Sequence, residues 1–382
     1  MRRIAGLIVA VHLLLVSGCA MAGPEDRAEQ TPGGPGTLLQ HWEIPGAPLD
    51  ARAYRILYSS TGMDGRPIAV SGIAVIPISD VPPGGRPIVA WAHPTTGVVP
   101  RCAPSEALFH FQQIQGLRDM VEHGFIIAAT DYPGLGTAEP HPYLVGVSEA
   151  RAVLDSVRAA RQLPEAQASA RFAVWGHSQG GQAALFTGMI AAQYAPELRL
   201  VAVAAAAPAT DLAALMQADL ATPGGKNLTA MTLWAWSRIY DAPLTSVVTP
   251  DSVPVIDRLA GECIESLYDL HVRGETARLL GDDFLTVGDL AATEPWARLA
   301  ALNTPGTLPP SIPVFIAQGT SDPIVPLRIT LSYVRRLCAA GSRVTLDEMP
   351  GVGHGFAAMR SARTAVDWIA DRFDLRPAPN DC

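Results

Sequence analysis

Charge is sparse in this sequence, and basic charge is nowhere concentrated. Charged residues make up 17% of the 382 positions, and 36 acidic against 28 basic side chains leave a formal net charge of -8. With no basic block to offset that balance, a phosphate backbone finds no electrostatic footprint, which excludes nucleic acid as a partner. Cysteine is scarce as well: there are five, and none has the C-x-x-C spacing or neighbouring histidine of a zinc site. The apolar run at the N-terminus, Ile4 to Val16, is too short to span a bilayer. What is abundant is ordinary hydrophobic residue, 48% of the chain, far from the polar and highly charged profile of disorder. The length suffices for one large α/β domain with an insertion, or for two average domains.

The first residues carry an export signal. Arg2 and Arg3 precede the apolar run, which ends in Val16-Ser17-Gly18-Cys19, the form of a bacterial lipobox in which Cys19 becomes the lipid-bearing first residue. A secretory signal cut after Ala22, or a short uncleaved anchor, are the alternatives. The expectation is a signal over 1–19, a Gly- and Pro-rich tether over 20–37 and attachment to the cell-envelope membrane through Cys19, with Ala20 compatible with the outer membrane. Setting Cys19 aside leaves Cys102, Cys263, Cys338 and Cys382, an even set in an oxidising compartment. Three pairings are open to them. The sequon Asn227-Leu228-Thr229 carries no meaning beside such a signal.

From residue 52 strands alternate with helices. Arg52–Ser59 and Pro67–Pro77 read as strands joined through Asp64-Gly65. Further strands are expected at Pro87–Ala92, Phe125–Thr130, Arg171–Trp175, Leu198–Ala206, Pro313–Ala317 and Val344–Met349. Helices are expected at Glu106–His123, Glu149–Gln162, Gln179–Tyr194, Leu327–Ala340 and Ala357–Phe373. Short apolar strands between amphipathic helices are what a parallel sheet covered on both faces demands, so the chain reads as doubly wound α/β. The rhythm breaks over 208–305, which divides the core into 38–207 and 306–382. That insertion is expected to be a largely helical cap over one edge of the sheet, enclosing substrate. Met216, Met231, Trp234, Trp236 and Tyr240 within it either line an acyl tunnel or form the cap's own core.

Gly176-His177-Ser178-Gln179-Gly180 fits G-x-S-x-G, and it follows an apolar strand and opens a helix. That context exposes a serine hydroxyl at a helix N-terminus, on a turn tight enough to need its glycines. Serine needs a base to take its proton and a carboxylate to orient that base. In this architecture the chain order is serine, acid, histidine, each just after a strand. Asp322 follows the strand ending in Ala317, and His354 follows Val344–Met349 on a glycine-rich loop. His177 points the other way out of the turn, and Asp131 is the rival acid, better placed to hydrogen-bond within Tyr132-Pro133-Gly134. The oxyanion formed by attack needs two N–H donors. Gln179 supplies one; Pro94 has no N–H, which leaves Thr95 on the loop after the third strand as the other.

Together these residues resemble the secretory lipase family, the lipase A type within the α/β-hydrolases. The likeness rests on Ala90-Trp91-Ala92-His93-Pro94-Thr95-Thr96-Gly97, Cys102-Ala103-Pro104-Ser105, Ala129-Thr130-Asp131-Tyr132-Pro133-Gly134-Leu135-Gly136, Gly176–Gly181, Gln318–Pro323 and Gly353-His354-Gly355. It implies an α/β-hydrolase fold, esterase or lipase activity on a small-molecule or lipid ester, a helical lid and no cofactor. It also implies that Cys102 pairs with Cys263 and Cys338 with Cys382. Pro94 departs from the commoner His-Gly form, and a lipid anchor is unusual in a secreted lipase. The same triad would serve an amidase, peptidase or acyltransferase, and a non-catalytic envelope scaffold is the reading from another class.

Overall fold

The computed structural model describes residues 33–47, 50–138, 140–265 and 267–382, with the side chains of Leu267 and Leu270 left aside. The expected signal over 1–19, lipidated Cys19 and most of the tether lie outside the described residues.

Nine strands form one sheet in the order β1-β2-β3-β5-β4-β6-β7-β8-β9. β1 (Leu38–Ile44), β2 (Ala51–Thr61) and β3 (Pro67–Pro77) make an antiparallel edge. β3 joins β5 (Ile126–Thr130) antiparallel, and from there on every pairing is parallel through β4 (Arg86–Ala92), β6 (Ala168–His177), β7 (Arg199–Ala206), β8 (Val314–Gly319) and β9 (Val344–Met349). The parallel strands are nearly all apolar because both of their faces are covered. In β4, Ile88, Ala90 and Ala92 enter one core with residues of α2 (Gly146–Ala160), α3 (Gln179–Tyr194) and α9 (Leu327–Ala339). Val89 and Trp91 enter the other with α1 (Leu117–Glu122) and α10 (Ala357–Phe373).

One expectation is corrected here, and one strand is added to those expected. The helix expected over 106–123 is a 3-10 turn at His110–Gln113 followed by the six α-helical residues of α1, and two further 3-10 turns, Pro100–Cys102 and Pro104–Glu106, precede it. Gly116, at φ 81, ends the irregular stretch in a conformation that costs glycine nothing. β1 was not foreseen; it is an edge strand whose Trp42 is 51% exposed, so its alternation is too blurred to read.

Between β7 and β8 runs a segment with α4 (Leu212–Asp219), α5 (Pro223–Ile239), α6 (Val253–Ala260), α7 (Leu267–Ala277) and α8 (Trp296–Leu302). Its Met231, Trp236, Ile256, Leu259 and Trp296 belong to a third hydrophobic cluster, which also takes in Val98, Tyr143, Leu144, Val145, Val325 and Ile329. Cys102 is bonded to Cys263, and Cys338 to Cys382, the pairing that the family resemblance implied. No helix among the described residues is long and apolar enough to cross a membrane.

Candidate active site

The order of strands reverses around β4, which lies between β5 and β6. In an open α/β sheet such a reversal leaves a crevice outside the carboxyl ends of the strands. Thr95 leaves β4 there, and Ser178 leaves β6.

Ser178 occupies φ 57, ψ -115, between the end of β6 and the first turn of α3. A side-chain-bearing residue rarely adopts positive φ, and it does so only where its surroundings fix it. Ser178 N–H donates to Ala206 O at 2.9 Å, and its carbonyl accepts from Gln182 N at 3.0 Å. The two glycines around it are required sterically. A Cβ on Gly176 would lie 2.1 Å from Gly180 O, and one on Gly180 would lie 1.9 Å from Ala92 O.

His354 stands in a 3-10 turn between β9 and α10, with 15% of its side chain exposed. Ser178 Oγ is 2.8 Å from His354 Nε2, and His354 Nδ1 is 2.8 Å from Asp322 Oδ2. With Nδ1–H donating to the carboxylate, Nε2 is left as the acceptor of the serine proton. Asp322 follows β8, and its side chain is wholly buried. Ile324 N and Val325 N donate to its Oδ1 at 2.9 and 2.8 Å, and Gln318 Nε2 donates to Oδ2 at 3.0 Å. Burial alone would raise this carboxyl, but the hydrogen bond and charge of His354 with the two amides outweigh it and hold it below the usual range.

Two neighbours behave differently from the sequence reading. His177 does not turn away from the site: its Nε2 bonds the carbonyl of His354 at 3.0 Å, and the rings lie 5.1 Å apart. Burial, then the nearby His354, push its imidazole down to about 3, so it donates as a neutral ring. Asp131 is not held within the Tyr132-Pro133-Gly134 loop. Its carboxylate accepts from Ser71 Oγ at 2.6 Å and Ser105 N at 2.9 Å, which ties β3 to the turn after β4 and keeps it away from His354.

Gln179 is the first residue of α3, where an N–H has no intrahelical acceptor. Its side chain is anchored: Nε2 donates to Glu149 Oε1 at 2.8 Å and lies 3.2 Å from His141 Nε2. Burial raises Glu149 to about 8, against the hydrogen bonds from Gln179 and the Leu144 amide. Thr95 is half-buried, and its hydroxyl meets Tyr143 Oη at 3.0 Å. Glu149 and Tyr143 carry no motif that would single them out, and His141 does not follow a strand. A glutamate opening a helix reads as an ordinary dipole partner, and only the packing of α2 on α3 turns it toward Gln179.

Two cavities meet Ser178. One of about 1000 Å³ is lined by Pro94, Thr95, His177, Asn227, Arg273 and His354. The other, about 40 Å³, is lined mostly by apolar residues, among them Leu212, Leu215, Met216 and Ile324. Of the five large side chains expected as either tunnel or core, Met216 alone lines a cavity described here. Met231 and Trp236 are fully buried in the third hydrophobic cluster, and Trp234 stacks under the Arg238 guanidinium.

Comparison with known proteins agrees with this architecture. The family model for secretory lipases matches residues 112–381. Lipase 5 of Candida albicans is 29% identical over 303 residues, covering 74% of this chain and 64% of the relative, just under two thirds of its length. A Mycobacterium tuberculosis protein named as a probable inactive lipase is 24% identical over 368 residues, covering 90% of this chain and 79% of the other. The solved structure of Candida antarctica lipase A superposes with a TM-score of 0.77 at 18% identity, covering 92% of this chain and 84% of that one. The fold is that of the α/β-hydrolases.

Proposed function

We propose that this chain, which belongs to the secretory lipase family, is a carboxylic-ester hydrolase working through an acyl-enzyme on Ser178. The observation that carries the reading is the unbroken chain from Asp322 through His354 to Ser178, two contacts of 2.8 Å each. Ser178 Oγ attacks the ester carbonyl carbon while His354 Nε2 takes its proton, and Asp322 stabilises the imidazolium that forms. The tetrahedral oxyanion is held by the N–H of Gln179 and that of Thr95. Its collapse breaks the bond to the alcohol oxygen, which leaves with the proton from His354. Water, deprotonated by the same nitrogen, then attacks the acyl carbon, and the acid departs as Ser178 regains its proton.

The helical segment 208–305 acts as the cap that encloses substrate. Ahead of it, Arg2, Arg3, the apolar run and Val16-Ser17-Gly18-Cys19 support export and attachment through lipidated Cys19. Two disulfides are in keeping with an oxidising compartment. The mass of the mature protein tests that part: a diacylglyceryl adduct is expected on the native chain and none on Cys19→Ser.

Hydrolysis of p-nitrophenyl esters from acetate to palmitate, with Ser178→Ala alongside, tests the chemistry. Ester hydrolysis lost in the variant supports the serine mechanism, and matched anilides separate an esterase from an amidase. The existence of a relative named as inactive gives the non-catalytic scaffold a definite expectation, namely no labelling of Ser178 by a fluorophosphonate.

A further inference from the structure

The smaller cavity beside Ser178 is not a plain hydrocarbon pocket. Among the residues lining it are Asp219, at the end of α4, Thr229, on α5, and Gln179. All three are buried, at 7, 1 and 1% exposure. Asp219 Oδ1, Thr229 Oγ1 and Gln179 Oε1 have no hydrogen-bond partner. A buried polar atom left without a partner keeps its desolvation penalty unrepaid. No arginine, lysine or histidine lines this cavity. Burial, then the negative charge of Asp322, raise the Asp219 carboxyl to about 7.

Asp219 is not free to turn away. The chain reverses just after it, with Thr222 N–H bonded to Asp219 O at 3.0 Å. A Cβ on Gly225 would stand 2.4 Å from the Asp219 Cα, so the backbone of α5 is pressed against it. A carboxyl group on a fixed backbone thus lines a small pocket that also meets Ser178, where an alkyl chain alone would leave its oxygen unmatched. The cavity is also short. A volume of about 40 Å³, at roughly 10–15 Å³ for each water-sized group, admits about three such groups.

We propose that this pocket receives the acyl part of the ester and that Asp219 and Thr229 select short acyl groups bearing a hydroxyl. The proposal rests on the ester-hydrolase reading and names its substrate class. A substrate hydroxyl donates to Asp219 Oδ1 and accepts from the Thr229 hydroxyl, so one group satisfies two orphaned atoms. An unsubstituted acyl chain of the same length fills the space and satisfies neither. Sites built to pair a substrate hydroxyl discriminate against the analogue that lacks it because their own polar groups are then stranded.

The test compares ethyl 2-hydroxybutyrate and ethyl 3-hydroxybutyrate with ethyl butyrate by pH-stat titration on the full chain, each kcat/KM divided by the ester's alkaline hydrolysis rate. At least one hydroxy ester is expected to be favoured by about tenfold or more. Asp219→Leu is expected to bring that ratio to about one, and Thr229→Val, a closer match in shape, to lower it at least about threefold. Ratios near one for both hydroxy esters in the native protein overturn the proposal. A ratio unchanged in whichever of the two variants folds overturns it as well. Hydrolysis of all three esters at similar rates, abolished by Ser178→Ala, would remove this specificity and leave the esterase standing; no hydrolysis of any would remove both.

Discussion

At Ser178 the backbone is held at φ 57, and the hydroxyl it presents is useful only because His354 Nε2 is 2.8 Å away. Ser178→Ala should therefore lose ester hydrolysis by about ten-thousandfold or more in kcat, with a thermal midpoint close to that of the native protein. Asp322→Asn should lower kcat by about ten-thousandfold with little change in KM, because it offers His354 the wrong tautomer partner. Glu149 gives a different expectation. Its folded-state value of about 8 lies above the ordinary 4.5, so between those values the folded chain binds the extra proton and stability falls as pH rises. Glu149→Gln cannot ionise, and scanning calorimetry from pH 5 to pH 8 should show its midpoint gaining on that of the native protein. Ser178, Asp322 and His354 are legible in the sequence because each follows an apolar strand in a fixed chain order. Asp219 and Thr229 are not, since a carboxylate and a hydroxyl on helices between β7 and β8 look the same whether they face solvent or a buried pocket.

Among the elements, the turn from β6 to α3 tolerates least. Gly180→Ala would bring a methyl within 1.9 Å of Ala92 O, a backbone atom of a central strand that cannot retreat. A loss of about 3 kcal/mol in denaturant unfolding is expected, and a loss below about 1 kcal/mol would mean that this turn is looser than its geometry implies. The strands and helices of the parallel half were readable because burial on both faces leaves short apolar runs. α3 and α10 coincide with their expected spans, Gln179–Tyr194 and Ala357–Phe373. The stretch after β4 was not readable as built. The apolar spacing over 106–123 resembles a helix, yet Gly116 at φ 81 divides it into one 3-10 turn and the short α1, while Pro100, Pro104, Asp131 and the Cys102–Cys263 bond set the irregular path that leads into it.

For the molecule as a whole, buried ionisable groups shape stability on both sides of neutrality. His93, His141 and His177 are pushed by burial down to about 4, 3 and 3. Below their ordinary value of 6.5 the unfolded chain binds protons that the folded one refuses, so stability falls as pH drops. Glu149 and Asp219, raised to about 8 and about 7, act in the opposite sense as pH climbs. The thermal midpoint should peak between about pH 5 and 8, and a midpoint still rising beyond that window would contradict it. Reducing both disulfides, which close spans of 161 and 44 residues, should cost about 2–5 kcal/mol for each bond, read as a lower denaturant midpoint. Cys102 and Cys263 have a further bearing on how the cavity fills. Their Cα atoms are 5.3 Å apart, which rivets the chain just ahead of α7 to the loop that carries Thr95. On the proposed reading, an outward swing of α7 to admit substrate turns about that rivet like a shutter on a pin, leaving the Thr95 side of the doorway in place while the far side gapes.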